Sequence, residues 1–214
     1  MKKTFLKFTV LVILLISSSK MFSQIEITPF GGYFYSTNIN FYQGTLKIYD
    51  GGAYGGHLGI HTVKNNLIEF TYIGNTTDAE WRPYSGFSDY PRRSIKISSN
   101  YFLLGTAQDI PLNGNVTGFG TLKAGAGYFK SLDATIDDVW RFSVAFGIGA
   151  KIFFTDRIGI RIQANMNLPL YFNGVGAYCG IGTGGSNCGL SMNSTSAILQ
   201  GDISTGLIFK INKK

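Results

Sequence analysis

The residues of this 214-residue chain that could do chemistry are few, and their spacing limits what they can do. Its two histidines, His57 and His61, stand four apart. On a helix that spacing aims both rings at one ion. On a strand, at ~3.3 Å per residue, it leaves them about 13 Å apart. With no third histidine, no metal site and no cofactor are expected. Polar filling, with some sensitivity to pH, is the ordinary role. A hydrolase would need one of them as the base for an activated nucleophile with a third orienting group. Ser98, Ser143 and Ser204 are the serines in question, yet no His-x-Ser pairing accompanies them, and the chain is expected not to be an enzyme.

Two further groupings stand out. Cys179 and Cys188 are the only cysteines and enclose a Gly-rich segment, Gly180 to Asn187. That segment lacks the Lys-Ser/Thr ending and following helix of a phosphate loop, so a stapled hairpin is the better reading. In an oxidising compartment the pair is expected to form a disulfide, contributing roughly 2–3 kcal/mol in the chain-entropy model. Trp81, Arg82, Tyr84, Phe87, Tyr90, Arg92 and Arg93 crowd a second segment together with Pro83 and Pro91. Aromatics with arginines suit either an interfacial anchor, with Arg on lipopolysaccharide phosphates, or a partner-binding surface.

The elements that must position these residues follow from composition and periodicity. Charged residues are 14% of the chain, below the roughly 25% of soluble domains, while Gly (28 residues) and aromatics (14%) are plentiful. Lys2, Lys3 and Lys7 precede an apolar run from Phe8 to Ile16 and small polar residues from Ser17 to Ser19. This is the form of a secretory signal peptide, residues 1–23, with cleavage after Ser23 or Gln24. Losing its four lysines takes the formal net charge from +7 to +3, so the basic balance is partly a targeting signal and no nucleic-acid partner is expected.

Residues 24–214 alternate with period two. Phe142, Val144, Phe146, Ile148, Ala150 and Ile152 share one face, with Ser143, Gly147, Gly149 and Lys151 between them. Ile158, Ile160, Ile162, Ala164 and Met166 oppose Gly159, Arg161, Gln163 and Asn165; Ile203, Leu207, Phe209 and Ile211 oppose Asp202, Ser204 and Lys210. Fainter segments set Ile95, Ile97, Tyr101, Leu103 and Ala107 against Lys96, Ser98, Asn100 and Thr106, and Leu122, Ala124 and Tyr128 against Lys123 and Gly127. Ile68, Phe70 and Tyr72 oppose Glu69; Tyr54, Leu58 and Ile60 oppose the two histidines; Ile25, Ile27, Tyr33 and Tyr35 oppose Glu26 and Thr28.

The count is eight strands. Short connections at 64–66, 109–115 and 155–157 alternate with long ones at about 36–50, 75–93, 131–140 and 172–196. Strands of this length, short turns alternating with long loops, and a continuous apolar face describe an all-β, eight-stranded antiparallel transmembrane up-and-down barrel. Backbone groups in lipid have no other partner than the neighbouring strand, so the sheet closes, apolar face outward. Tyr35, Tyr54, Tyr72, Tyr128 and Tyr171, at strand ends beside the long loops, would form an aromatic girdle.

In leader, strand count and loop pattern the chain resembles the small outer-membrane barrels typified by OmpX, the OmpA transmembrane domain and OmpW. The resemblance implies the outer membrane of a Gram-negative bacterium, periplasmic termini and a monomer. It implies lipid and lipopolysaccharide as surroundings, the outer-membrane insertion machinery as a partner in biogenesis, and an extracellular or envelope protein as a further partner. One departure is the tail: Phe209 and Ile211 are followed by Asn212-Lys213-Lys214 rather than a terminal aromatic, and no peptidoglycan-binding domain is expected.

Facing inward, Glu69, Lys96, Lys123, Lys151, Arg161 and Asp202 are expected to form a charge network, because a narrow bore forces buried charges to pair. A bore filled in this way suits a structural or surface-interaction role. A narrow channel for small or apolar solutes, as the OmpW resemblance implies, is the alternative, and an enzyme acting on envelope lipids the third.

Overall fold

The computed structural model describes residues 24–63, 65–86, 91–132, 137–182, 185–196 and 199–212. The expected signal peptide lies outside them, as do Phe87 and Tyr90. Eleven strands run in order: β1 (Gln24–Ser36), β2 (Ile39–Phe41), β3 (Gly44–Ile48), β4 (Gly51–Val63), β5 (Asn66–Pro83), β6 (Arg93–Pro111), β7 (Val116–Ser131), β8 (Val139–Phe153), β9 (Ile158–Gly182), β10 (Gly185–Ser196) and β11 (Gln200–Asn212). Eight of them, β1, β4, β5, β6, β7, β8, β9 and β11, pair antiparallel with their chain neighbours, and β1 pairs with β11 to close the barrel. The other three are built from what the sequence reads as long loops. β2 and β3 form a hairpin on the extended end of β5, and β10 folds back along β9.

The register fixes the barrel's dimensions. Stepping between directly paired residues leads from Glu26 to Gly59, Glu69, Gly105, Lys123, Ala145, Asn167 and Gln200, and returns to β1 at Ser36. The path therefore comes back ten residues further along β1. With eight strands about 4.8 Å apart and ~3.3 Å per residue, that stagger gives a tilt of about 40° and a backbone radius of about 8 Å. A bore this narrow is filled by side chains.

Small residues let strands curl at that radius. At Gly105 and Gly125, a Cβ would stand 2.1 Å and 2.0 Å from the carbonyl oxygens of Leu122 and Phe102 on the neighbouring strand. The tight turn joining β4 and β5 holds Asn65 at positive φ, and that joining β6 and β7 holds Gly114 there. The first and last described residues, Gln24 and Asn212, pair with each other at the end of the barrel carrying these turns. The β1–β11 ladder skips Thr28 and Pro29 and resumes at Phe30–Gly206; Pro29 has no N–H to donate.

The outside is apolar. Ile27, Leu58, Phe70, Leu104, Leu122, Phe146, Ile162 and Leu207 are all exposed, which is the surface of a protein surrounded by hydrocarbon. Towards the end away from the termini it becomes aromatic. Tyr54, Tyr72, Phe102, Trp140 and Tyr128 make a chain of ring contacts with centroids 4.6–6.4 Å apart across five strands. Tyr33 and Tyr35 add a further pair on β1. The side chain of Tyr171 lies outside the described residues.

One strand has its faces the other way round from the sequence expectation. On β6, Ser99, Tyr101, Leu103 and Ala107 are buried in the bore, while Phe102, Leu104, Thr106 and Gln108 are exposed outside. Both faces of β6 are apolar, so alternation alone does not set its phase. Its neighbours do: Leu104 pairs with outward Phe70 and Ala124, and Leu103 with inward Thr71 and Gly125. Lys96 and Ser98 therefore sit on the outer face.

Candidate functional site

Buried ionisable side chains converge in the bore, and they do so in separate layers. Nearest the termini, Glu26 of β1 accepts from Lys151 of β8 (3.0 Å) and bonds His61 of β4 (2.9 Å), with Lys210 of β11 at 3.5 Å. Lys151 also reaches Asp109 of β6 at 3.0 Å. Lys151 is fully buried, so two carboxylates offset the cost of burying its charge.

The next layer is centred on Glu69 of β5. Arg161 of β9 grips its carboxylate with both terminal nitrogens, Nη2 to Oε1 at 3.0 Å, and Lys123 of β7 approaches Oε1 at 2.6 Å. The Arg161 Nε donates to Gln163 (2.7 Å), and the Gln163 amide meets the His57 Nε2 (2.8 Å). The other ring nitrogen of His57 lies 2.8 Å from Thr71, which also accepts from Lys123. Four strands of the barrel thus meet in one hydrogen-bonded cluster. Phe119 lies against both layers, with the Arg161 guanidinium 4.3 Å and the Lys151 ammonium 5.6 Å from its ring centre.

Asp202 stands apart. Its oxygens accept from the amides of Asn165 (2.9 Å) and Asn167 (3.0 Å) and the hydroxyl of Ser204 (3.3 Å), and it has no ion-pair partner among the described residues. Beside this level Tyr101 donates to Gln200, and Phe34, Ile73, Leu103 and Ala145 pack with Tyr101 into an apolar cluster. Of the six residues expected to form one network, Glu69, Lys123 and Arg161 are joined directly. Lys151 belongs to the neighbouring layer, Asp202 is separate, and Lys96 is outside. Glu26, Asp109 and Lys210 complete the ion pairs, with His61 hydrogen-bonded to Glu26. Asp109 falls in what reads as a turn, and only the length of β6 brings it inside.

Beyond the apolar cluster the extended strands enclose a vestibule open at the end away from the termini. Leu46, Trp81, Ile95, Ile97, Phe129 and Val139 line a cavity of about 530 Å³, with Arg93, Lys130 and Asp137 also on its walls. This divides the aromatic and basic segment expected to act as one surface. Trp81 faces into the vestibule. Arg82 lies on the outside, bonded to Glu80 (2.7 Å), and Glu80 accepts from Tyr49 (2.9 Å). Tyr84 bonds Thr45 (3.0 Å), and Arg92 is exposed. Alternation along an extended strand sends neighbours to opposite faces, so a run of chemically similar residues does not make one patch.

The two histidines are spent on Thr71, Gln163 and Glu26, and neither has a serine partner among the described residues. Among those residues no group of three potential metal ligands assembles. In the β9–β10 hairpin the register sets Cys179 directly opposite Cys188. Opposed residues stand ~4.5–5.5 Å apart at Cα, within disulfide reach.

No protein-family model matches the sequence, and no curated protein does. Solved structures do match in fold. The outer membrane protein OprG from Pseudomonas aeruginosa superposes with a TM-score of 0.55 at 9% identity, over 89% of this chain and 97% of that one. Neisserial surface protein A gives 0.54 at 12% identity, over 87% and 97%. The chain has the fold of the small eight-stranded outer-membrane barrels. At these identities the likeness speaks to architecture, and the side chains in the bore must be read on their own terms.

Proposed function

We propose that this chain is a Gram-negative outer-membrane barrel with a closed bore, whose role is structural or lies in the surface that its extended strands present. The observation that carries this reading is the Glu69 carboxylate held by Arg161 and Lys123 across a bore of about 8 Å backbone radius. A solute passing it would have to separate buried charges from their partners, and breaking such a pair costs about 3–5 kcal/mol. The Glu26–Lys151–Asp109 layer repeats the obstacle.

The location rests on the apolar outer wall, the aromatic band and the names of the two similar structures, one an outer membrane protein and one a surface protein. With the tight turns and termini in the periplasm, the vestibule and both accessory hairpins face outward. Lipid and lipopolysaccharide surround the wall, the insertion machinery delivers the chain as a monomer, and an envelope or extracellular protein would meet the hairpins. No catalytic role is assigned; lipid A from cells with and without the protein should have the same mass spectrum.

Reconstitution in planar bilayers tests the closed bore. The purified barrel should give no steady conductance, and a reproducible open state would overturn the reading.

A further inference from the structure

Seven of the eight ladders that make the wall run unbroken through the described residues, the β4–β5 ladder shifting register only beside its turn. The eighth joins β1 to β11 and closes the barrel, and it is interrupted at Thr28 and Pro29. The break leaves four residue pairs on one side, Gln24–Asn212 to Ile27–Phe209, and seven on the other, Phe30–Gly206 to Ser36–Gln200. Alternation identifies the group left without a bond. The Lys210 amide donates to the carbonyl of Arg157, the residue before β9, at 2.8 Å. Phe209 and Leu207, one and three residues back, therefore turn their amides and carbonyls to β1. The register sets Pro29 opposite Leu207. Since β1 pairs with β4 through Pro29 without a gap, the donor that Pro29 lacks is one that would point to β11. The Leu207 carbonyl receives no N–H from β1. It lies at a recess of about 510 Å³ in the outer wall, lined by Pro29, Gly31, Ile160, Thr205 and Leu207, where lipid supplies no donor.

We propose that this step is a parting line: β1 and β11 separate on the Gln24–Asn212 side of Pro29 while the rest of the wall stays paired. The four-pair segment is cut off from the cooperative ladder beyond the break, so it opens on its own. Its clasp is Glu26, directly opposite Lys210 in the register, with their charged groups 3.5 Å apart. Water entering the parted seam reaches Glu26, which keeps Lys151 of β8 as a partner at 3.0 Å. The Glu69 cluster stays shut, because His57, Glu69, Thr71, Lys123, Arg161 and Gln163 come from β4, β5, β7 and β9 and from neither seam strand. A ladder divided in this way also closes in two steps, so the first and last strands of the barrel need not form all eleven pairs at once.

Amide hydrogen exchange, followed by NMR on the barrel in lipid nanodiscs, tests the line. On β1 the amide of Ile27 points to β11, while those of its neighbours Glu26 and Thr28 point to β4 at nearly the same depth. The protection factor of Ile27 should be at least about tenfold below those of both neighbours. Fraying from the strand end gives a different pattern, with Glu26 released before Ile27. Pro29→Val and Pro29→Ala each restore the missing donor. In either variant, shown to be folded by its heat-modifiable mobility, Ile27 and Phe209 should gain at least about tenfold in protection, and Thr205, beyond the break, should be unchanged. Equal protection of Ile27 and Thr28 in the parent protein, or protection that falls steadily from Thr28 to Glu26, would overturn the proposal with no variant needed. Folded Pro29 variants in which Ile27 and Phe209 exchange as in the parent would overturn it too.

Discussion

At the scale of single residues, Glu69 carries the heaviest responsibility in the bore. Its side chain is the one anion shared by Arg161 and Lys123, all three buried. Truncating it leaves a guanidinium and an ammonium without a carboxylate in a low-dielectric interior. Glu69→Ala should therefore lower the barrel's stability by about 3–5 kcal/mol, read as a shift of the urea midpoint in heat-modifiability assays. Lys96→Ala is the matching control. That lysine is on the exposed outer face, so its loss should change stability by no more than about 0.5 kcal/mol. Equal effects from both would contradict the face assignment of β6. The comparison also shows where the sequence is legible. Glu69, Lys123 and Arg161 lie on strands whose other face is uniformly apolar, so their inward direction can be read directly. Tyr101 and Leu103 alternate with Phe102 and Leu104, equally apolar, and the phase of β6 emerges only from its pairing with β5 and β7.

At the scale of elements, the strands outrun the membrane. About 9–11 tilted residues suffice to cross, yet β5 has 18, β6 has 19 and β9 has 25. The surplus forms the walls of the vestibule and the accessory hairpins, which read as loops because they are rich in Gly, Ser, Asn and Pro. Their stabilisation is local and polar. On the extended part of β5, the hydrogen bonds from Arg82 and Tyr49 hold the Glu80 carboxyl down at about 2, against an ordinary 4.5. A carboxyl depressed in the folded state contributes fully above about 4.5 and loses that contribution as pH falls towards 2. The carboxyl resonance of Glu80 should titrate near 2 by NMR. In Arg82→Ala or Tyr49→Phe its midpoint should move up towards 4.5, and an unmoved midpoint would deny these contacts in solution. The disulfide expected in the β9–β10 hairpin belongs to this scale too. Since β10 pairs with β9 alone among the described strands, reducing Cys179–Cys188 should speed proteolysis within the hairpin and shift the barrel's urea midpoint by less than about 0.5 kcal/mol.

At the scale of the whole molecule, strand number and stagger dictate most of what the interior can be. Eight strands returning ten residues out of step enclose a space for side chains, and inward Gly127, Gly147 and Gly149 leave room for Tyr101, Asn165 and Phe119. The strand count, and with it a bore that side chains fill, follows from the sequence; the ten-residue stagger comes only from the pairing. The division of the bore into ion layers, a tyrosine–amide level and an apolar vestibule is not legible either, because it depends on which residues of non-adjacent strands reach the same height. A direct whole-molecule test is the pair of substitutions Tyr101→Ala and Arg161→Ala made together. These remove the two largest buried side chains in the bore, so a folded double variant should conduct where the parent protein does not, and a silent one would place the barrier elsewhere.

The Glu69–Arg161 contact spans 92 residues of chain and draws on strands from opposite sides of the cylinder. It is unavailable to a nascent polypeptide until β9 has arrived beside β8 and the sheet has curled round. Before that moment the Arg161 guanidinium has no carboxylate and Glu69 has Lys123 of β7 at most, and hydrocarbon is the most hostile medium in which to wait. Assembly is thereby given a direction: the unclosed sheet must keep its concave side wet, and expulsion of that water coincides with the meeting of charges. The same contact that blocks the finished bore makes entry into the bilayer an all-or-none event, with a half-inserted chain penalised by its own unpaired ions.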